Sequence, residues 1–365
     1  MSYTNGLDNP ELYFQTKLHS GTGGGGGSLT FDGSENMQAD MVWSKSRTEA
    51  LNHTLFDSVR GAGSNKELTP NGTSPEGGAD SAGFGYISAF NSNGFTWTAG
   101  GTNTENFNKS SQTYVHWNWK AGTSFTNDAS ATSVGTIDSS GSASDSSGFS
   151  IVSYTGTGSS GTIKHGLSSA PTTIFIKVRS HSDSWTVGHN SLGWGKYLRL
   201  DNTSAEGSNT NIFNNTTPTS TVFSVNHDDV NASGRTYIAY CFAEKKGYSK
   251  FGSYTGNGTQ ADGTFIYTGM KPSFVMLKRT DSTGNWNIYD NKRGAETYNP
   301  VTYRSFANEN NTDASSSVQS LTFLSNGFKL YSNNTDQAAS GGTYIYMCFA
   351  EAPFVNSNGI PTTAR

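Results

Sequence analysis

Two segments, Asp57-Ser-Val-Arg60-Gly61 and Asp290-Asn-Lys-Arg293-Gly294, set a carboxylate three residues before a guanidinium. Such a pair can clamp a carboxylate or a sugar, or its two charges can pair with each other inside a turn. A third, related segment reads His189-Asn-Ser-Leu192-Gly193, so the pair is not needed in every copy. That favours the turn. Aromatic side chains are the better lead to a ligand. Trp and Tyr faces stack on pyranose rings, while neighbouring polar groups fix orientation. Trp185 and Trp286 match each other in Ser184-Trp185-Thr186-Val187 and Asn285-Trp286-Asn287-Ile288. They are read either as core residues or as binding residues. Trp194 lies between Gly193 and Gly195, close to Tyr197, where a loop could present it. The candidate ligand residues are therefore Trp194, Tyr197, Trp185 and Trp286.

Other chemistry is thinly supported. Gly21-Thr22-Gly23-Gly24-Gly25-Gly26 fits a dinucleotide fingerprint in letters only. That fingerprint needs a helix directly afterwards to hold the pyrophosphate, and Ser28-Leu29-Thr30-Phe31 reads as a strand. The seven histidines are scattered, without His-x-x-x-His or Cys-x-x-Cys spacing, so no metal is expected. His227-Asp228-Asp229 is read as a solvated turn rather than a calcium site. There is no Gly-x-Ser-x-Gly elbow. The carboxylates that recur, Glu244 with Glu351 and Asp57 with Asp290, sit at equivalent places and suggest architecture rather than a catalytic pair. The expectation is a protein that is no enzyme and carries no cofactor.

The elements that must position these residues come in three copies. Thr113-Tyr-Val-His-Trp-Asn-Trp119, Thr236-Tyr-Ile-Ala-Tyr-Cys-Phe242 and Thr343-Tyr-Ile-Tyr-Met-Cys-Phe349 are versions of one strand. Each closes a unit that opens on a Gly-x-Gly turn, at Gly21, Gly156 and Gly256. In Tyr237–Phe242 both alternating sets are largely apolar, which predicts a strand buried on both faces. Glycine is 43 of 365 residues and charged residues only 14%, with 17 Tyr and 21 Phe. Short strands and Gly/Asn/Ser turns of this kind predict an all-β protein of three tandem β-sandwich domains, jelly-roll in type. No stretch has convincing helical periodicity; Arg47–Leu55 is the only weak candidate.

The predicted organisation is a lead over residues 1–13, repeat 1 over 14–121, a Ser/Gly-rich linker over 122–150, repeat 2 over 151–246, repeat 3 over 247–355 and a tail over 356–365. Units of this size can each bury a core of their own. The linker reads as flexible or as a hairpin packed on a neighbour. Cys241 and Cys348 occupy one position of the repeat and are expected as buried free thiols. A net charge of −4 without a basic cluster argues against nucleic acid. No apolar run is long enough to span a membrane, and the first residues lack the features of a secretion signal.

Several phrases resemble a family of structural proteins of tailed phages that infect marine bacteria. They are Gly148-Phe-Ser-Ile-Val-Ser-Tyr-Thr-Gly156, Tyr237-Ile-Ala-Tyr-Cys-Phe-Ala-Glu244, Gly247-Tyr-Ser-Lys-Phe-Gly-Ser-Tyr-Thr-Gly256 and Ile288-Tyr-Asp-Asn-Lys-Arg293, with Tyr3-Thr-Asn-Gly6 and Tyr13-Phe-Gln-Thr16 at the start. The resemblance covers essentially the whole chain. It implies a concanavalin- or SPRY-like sandwich and a virion protein assembled in the host cytoplasm. A tail-fibre or receptor-binding adhesin touching host surface glycans is the first expectation. A head decoration or head-fibre part with a purely structural role is the second. Partners would be other virion proteins and further copies of the chain, a trimer being favoured.

Overall fold

The computed structural model describes residues 7–79, 81–101, 105–294 and 299–355. Residues 1–6 of the predicted lead and the whole tail, 356–365, lie outside them. The protein is all-β, built of several antiparallel sheets. Among the described residues helix is limited to turns of three or four residues, and none is long and apolar enough to cross a membrane. The Arg47–Leu55 candidate is not helical.

One four-strand pattern occurs three times. In the first repeat the order is Phe14–Ser20, Thr113–Trp119, Met41–Ser46, Thr54–Asp57. In the second it is Phe149–Thr155, Thr236–Phe242, Thr173–Val178, Thr186–His189, and in the third Ser249–Thr255, Thr343–Pro353, Met270–Arg279, Asn287–Asp290. The registers agree: Trp117 lies opposite Trp43, Tyr240 opposite Phe175 and Met347 opposite Met276. Each large sheet is faced by a small one. These are Gly27–Leu29 with Gly94–Thr98 and Tyr86–Asn91, Gly161–Lys164 with Val222–Val225, and Phe265–Tyr267 with Gly327–Ser332 and Gln319–Leu324.

The Thr-Tyr phrase and the Gly-x-Gly turn recur because they lock together. The hydroxyls of Tyr114, Tyr237 and Tyr344 each donate to a backbone carbonyl, of Glu105, Asp228 and Thr335, at 2.8 Å. Each also accepts a backbone N–H, from Lys109, Ala232 and Ala339. The opening glycine presses on the same loop. A Cβ on Gly21, Gly156 or Gly256 would meet the carbonyl oxygen of Lys109, Ala232 or Ala339 at 2.1, 2.2 or 2.4 Å, closer than any side chain allows.

The two faces of each closing strand go to different cores. Tyr237, Ala239 and Cys241 face the small sheet of their own repeat, whereas Ile238, Tyr240 and Phe242 face away from it. Tyr346, Cys348 and Ala350 divide from Ile345, Met347 and Phe349 in the same way. The second faces of all three large sheets meet in one central core that holds Trp117, Trp119, Trp185, Tyr240, Phe242, Trp286 and Phe349 together. Each repeat thus has a core of its own, yet it buries the other half of its large sheet only against the other two. Both cysteines are free and buried, each in its own repeat's core.

In the Ser/Gly-rich segment 122–150 the structure has the packed hairpin rather than the flexible linker. Thr123–Asn127 and Ser139–Ser144 are strands that extend the second repeat's large sheet beyond Phe149–Thr155. Its small residues make a flat bed for Phe125, whose ring lies where a Cβ on Gly141 or Gly166 would be, at 3.1 and 2.5 Å.

Candidate functional site

The recurring polar residues converge on the junctions between repeats. Asp57 and Arg60 are fully buried, as are Asp290 and Arg293. Asp290 accepts the Arg293 backbone N–H at 2.8 Å and its Nε–H at 2.7 Å, and the guanidinium also donates to the Ile288 carbonyl at 2.9 Å. Asp57 and Arg60 repeat the arrangement, with Leu55 as the carbonyl. The charges pair within the turn, so no free clamp remains. Burial would lower the Arg60 pKa, but the Asp57 carboxylate beside it more than offsets this and the net shift is upward.

Each carboxylate takes a further donor from a different repeat. The Tyr240 hydroxyl reaches Asp57 at 2.6 Å and the Trp117 Nε1–H reaches Asp290 at 2.9 Å. Burial, ahead of the Asp57 charge, holds the Tyr240 pKa well above its usual value, so the phenol keeps the proton it donates. At the third junction His189 replaces the aspartate and Met347 the donor, and Met347 and His189 line the same small void.

A second ring of bonds runs the same way around the axis. Trp185 Nε1 donates to the Thr69 carbonyl at 2.9 Å and Trp286 Nε1 to the Arg199 carbonyl at 2.8 Å. His53 holds the equivalent position in the first repeat. Its Nδ1 accepts from Trp43 Nε1 at 2.8 Å, which leaves Nε2–H to donate to the Phe306 carbonyl at 3.0 Å. Each acceptor lies seven residues before Glu76, Glu206 or Asp313. The backbone N–H groups of those three donate to Arg179, Thr280 and Arg47 of the next repeat, all at 2.8 Å. The chain thus carries approximate threefold symmetry within itself.

Buried lysines occupy one layer of that symmetry. Lys177 donates to the Thr73 carbonyl at 2.9 Å and Lys278 to the Thr203 carbonyl at 3.2 Å, again across junctions. Lys45, at the same register, stays within its repeat on Ser46 and Glu49. Burial pulls all three down to about 8.

Of the four sequence-predicted ligand residues, three are corrected by their burial. Trp185 and Trp286 are 1% and 2% exposed in the central core. Trp194 is 4% exposed and packs edge-on against Phe213 at 5.1 Å. It recurs nowhere because it replaces a missing side chain. Phe56 and Tyr289 fill the corresponding space in repeats 1 and 3, but repeat 2 has Gly188, and a Cβ there would meet the Trp194 ring at 2.6 Å. Tyr197 alone reaches solvent, beside the Arg199 guanidinium at 4.7 Å. The four do not form one surface. His227 caps a short helical turn, and Asp229 pairs with Arg199. Among the described residues no group of three potential ligands is poised around a metal position.

A family model spans these junctions as one unit, matching residues 9–353. The chain belongs to the DUF7483 family. That family is described as a domain of unknown function. No curated protein and no solved structure matches the chain. The match to DUF7483 runs through all three repeats without a break, as a shared central core requires.

What the sequence reading missed lies outside the junctions. Phe265 and Tyr267 are 46% and 61% exposed on the small sheet of repeat 3. The signal was present in Phe265-Ile266-Tyr267, where two aromatic residues flank the inward-facing position of a strand.

Proposed function

We propose that this chain is a phage virion structural protein, a rigid non-enzymatic block that belongs to a tail fibre or receptor-binding apparatus and contacts host surface glycans. The observation that carries the reading is the use of the recurring residues. Asp57, Arg60, Asp290, Arg293, Trp185, Trp286, Lys177 and Lys278 hold the repeats together and, among the described residues, leave no reactive constellation facing solvent. The resemblance of the repeat phrases to tailed-phage structural proteins points the same way. Each repeat is read as a concanavalin-like or jelly-roll sandwich. Other virion proteins are its partners, and assembly takes place in the host cytoplasm.

The internal threefold supports a second reading, a head decoration or head-fibre part. A single chain with three similar faces can sit on a threefold position of a shell, where most proteins need three chains. The trimer favoured from sequence is then unnecessary, because three β units already surround one axis. Electron microscopy of particles labelled with antibody to this protein tests both readings. Label at the tail tip with blocked adsorption supports the adhesin; label over the head supports decoration; absence from purified particles overturns both.

A further inference from the structure

We propose that the outward face of the small sheet in repeat 3 is a glycan-binding platform. The proposal deepens the adhesin reading and rests on it only for the source of the glycan.

Ile266, Phe328 and Leu330 point into the repeat's own core, so the alternate residues point out. Phe265 lies opposite Lys329 and Tyr267 opposite Gly327, across the pair Ile266–Phe328. The Lys329 ammonium sits 5.5 Å from the centre of the Tyr331 ring. Tyr267, Phe265, Lys329 and Tyr331 therefore make one strip, and Gly327 to Tyr331 spans roughly 14 Å. The strip runs into an open groove of about 680 Å³, where Tyr331 is joined by Gln260, Asn299, Ser320 and Thr322.

The fold does not demand these aromatic residues. The pairs Leu29–Phe95 and Ile163–Phe223 correspond to Ile266–Phe328 in the sister sheets. There the positions of Phe265 and Tyr267 hold Ser28 and Thr30 in repeat 1, and Thr162 and Lys164 in repeat 2. Lys329 is matched by Thr96 and Ser224. Three related sheets fold, and among the described residues the strongly exposed rings lie on the third.

Area and chemistry select the occupant. The exposed parts of Phe265 and Tyr267 offer on the order of 200 Å², against the roughly 800 Å² per partner of a stable protein interface. A second copy of the chain would be held poorly. Sugar rings need little more, because C–H faces stack on aromatic rings while hydroxyls bond to amide, hydroxyl and ammonium groups. Gln260, Thr322 and Lys329 supply those groups, while the Asn299 amide is held by the Phe323 backbone. Lys329 is held at 3.3 Å by Asp262, whose side chain is 95% exposed and readily displaced by a ligand.

The test is native electrophoresis of the full chain through gels containing laminarin, a neutral glycan, or alginate, an acidic one. Phe265→Ser with Tyr267→Thr installs the residue types of repeat 1 and should leave the melting temperature unchanged. The wild type is expected to be retarded by at least one polymer, and the double variant to lose about tenfold in apparent affinity. Retardation by laminarin identifies stacking as sufficient; retardation by alginate alone adds Lys329 to the site. No retardation of the wild type in either gel overturns the proposal, as does equal retardation of wild type and variant. Concentration-dependent dimerisation that the variant abolishes also overturns it, because the face is then a self-contact. None of these outcomes depends on where the protein sits in a particle, so the site and the virion reading fail separately.

Discussion

The Tyr240 hydroxyl donates to Asp57 across 2.6 Å, although 183 residues separate the two. Trp117 makes the corresponding bond to Asp290 at 2.9 Å. Tyr240→Phe leaves Asp57 with its turn partners but removes the junction donor, and should cost about 1–3 kcal/mol. Asp57→Asn leaves the buried Arg60 with the Glu76 carboxylate, 3.9 Å away, as its remaining charge partner and should cost about 3–5 kcal/mol. Met347 makes no such bond, so Met347→Leu should cost less than about 1.5 kcal/mol. Urea denaturation midpoints rank the three variants. An unchanged midpoint for Tyr240→Phe would mean that the bond contributes nothing to holding the repeats together.

Because one core is shared, unfolding should be a single event. Repeat 2 expressed alone as residues 121–246 would expose Phe149, Ile151, Phe175, Trp185, Tyr240 and Phe242, which the intact chain buries centrally. It is expected to aggregate or stay unfolded, and the whole chain to give coincident fluorescence and circular dichroism transitions. A soluble, cooperatively melting repeat 2 would contradict the central role of that core. Segment 122–150, in which Ser139–Ser144 is paired on both sides and Thr123–Asn127 on one, should resist proteases as well as its neighbours do.

Local rules made much of this legible. The alternation in Tyr237–Phe242 marked a strand buried on two faces, the Gly-x-Gly turns marked where each repeat opens, and the Asp-x-x-Arg spacing marked an internal pair. What covers the second face was not legible, because alternation reports burial and not the identity of the neighbour. Trp185 and Trp286 were ambiguous for the same reason: their Nε1 partners, Thr69 and Arg199, lie in other repeats. Segment 122–150 left linker and packed hairpin both open because a strand beside one large ring needs small residues, and Gly141 and Ala143 near Phe125 look like linker composition.

Stability should fall as the solution is acidified. Burial lowers His53 and His116 well below the usual 6.5, and lowers His165 and His189 to about 4. Above 6.5 these rings are neutral in both states. Below it the unfolded chain takes up protons that the folded chain refuses, so stability is lost progressively down to about 4 for His165 and His189. Each ring contributes up to about 1.4 kcal/mol per pH unit in that window. Asp40 and Asp201, raised by burial, oppose this only nearer the carboxylate range. Urea midpoints at pH 7.5 and 5 measure the effect, and His189→Asn should flatten the slope by about one proton. Equal midpoints at the two values would show that the histidines do not control acid stability.

Trp194 offers the sharpest test of the threefold comparison. If it fills the space left by Gly188, then Trp194→Ala opens a cavity and should cost about 3–5 kcal/mol. Tyr197→Ala, on a partly exposed ring, should cost far less. Gly188→Phe restores the residue type of Phe56 in repeat 1, but on its own it collides with the rings of Trp194 and Phe213, which a Cβ would meet at 2.6 and 2.7 Å. It should therefore destabilise as a single change. Combined with Trp194→Ala, the new ring has somewhere to go, so the double variant should be more stable than the sum of the two losses requires. A coupling of about 1–3 kcal/mol in the double-mutant cycle is expected. Strict additivity would show that the two residues do not exchange one volume, and that Trp194 is held in the core for some other reason.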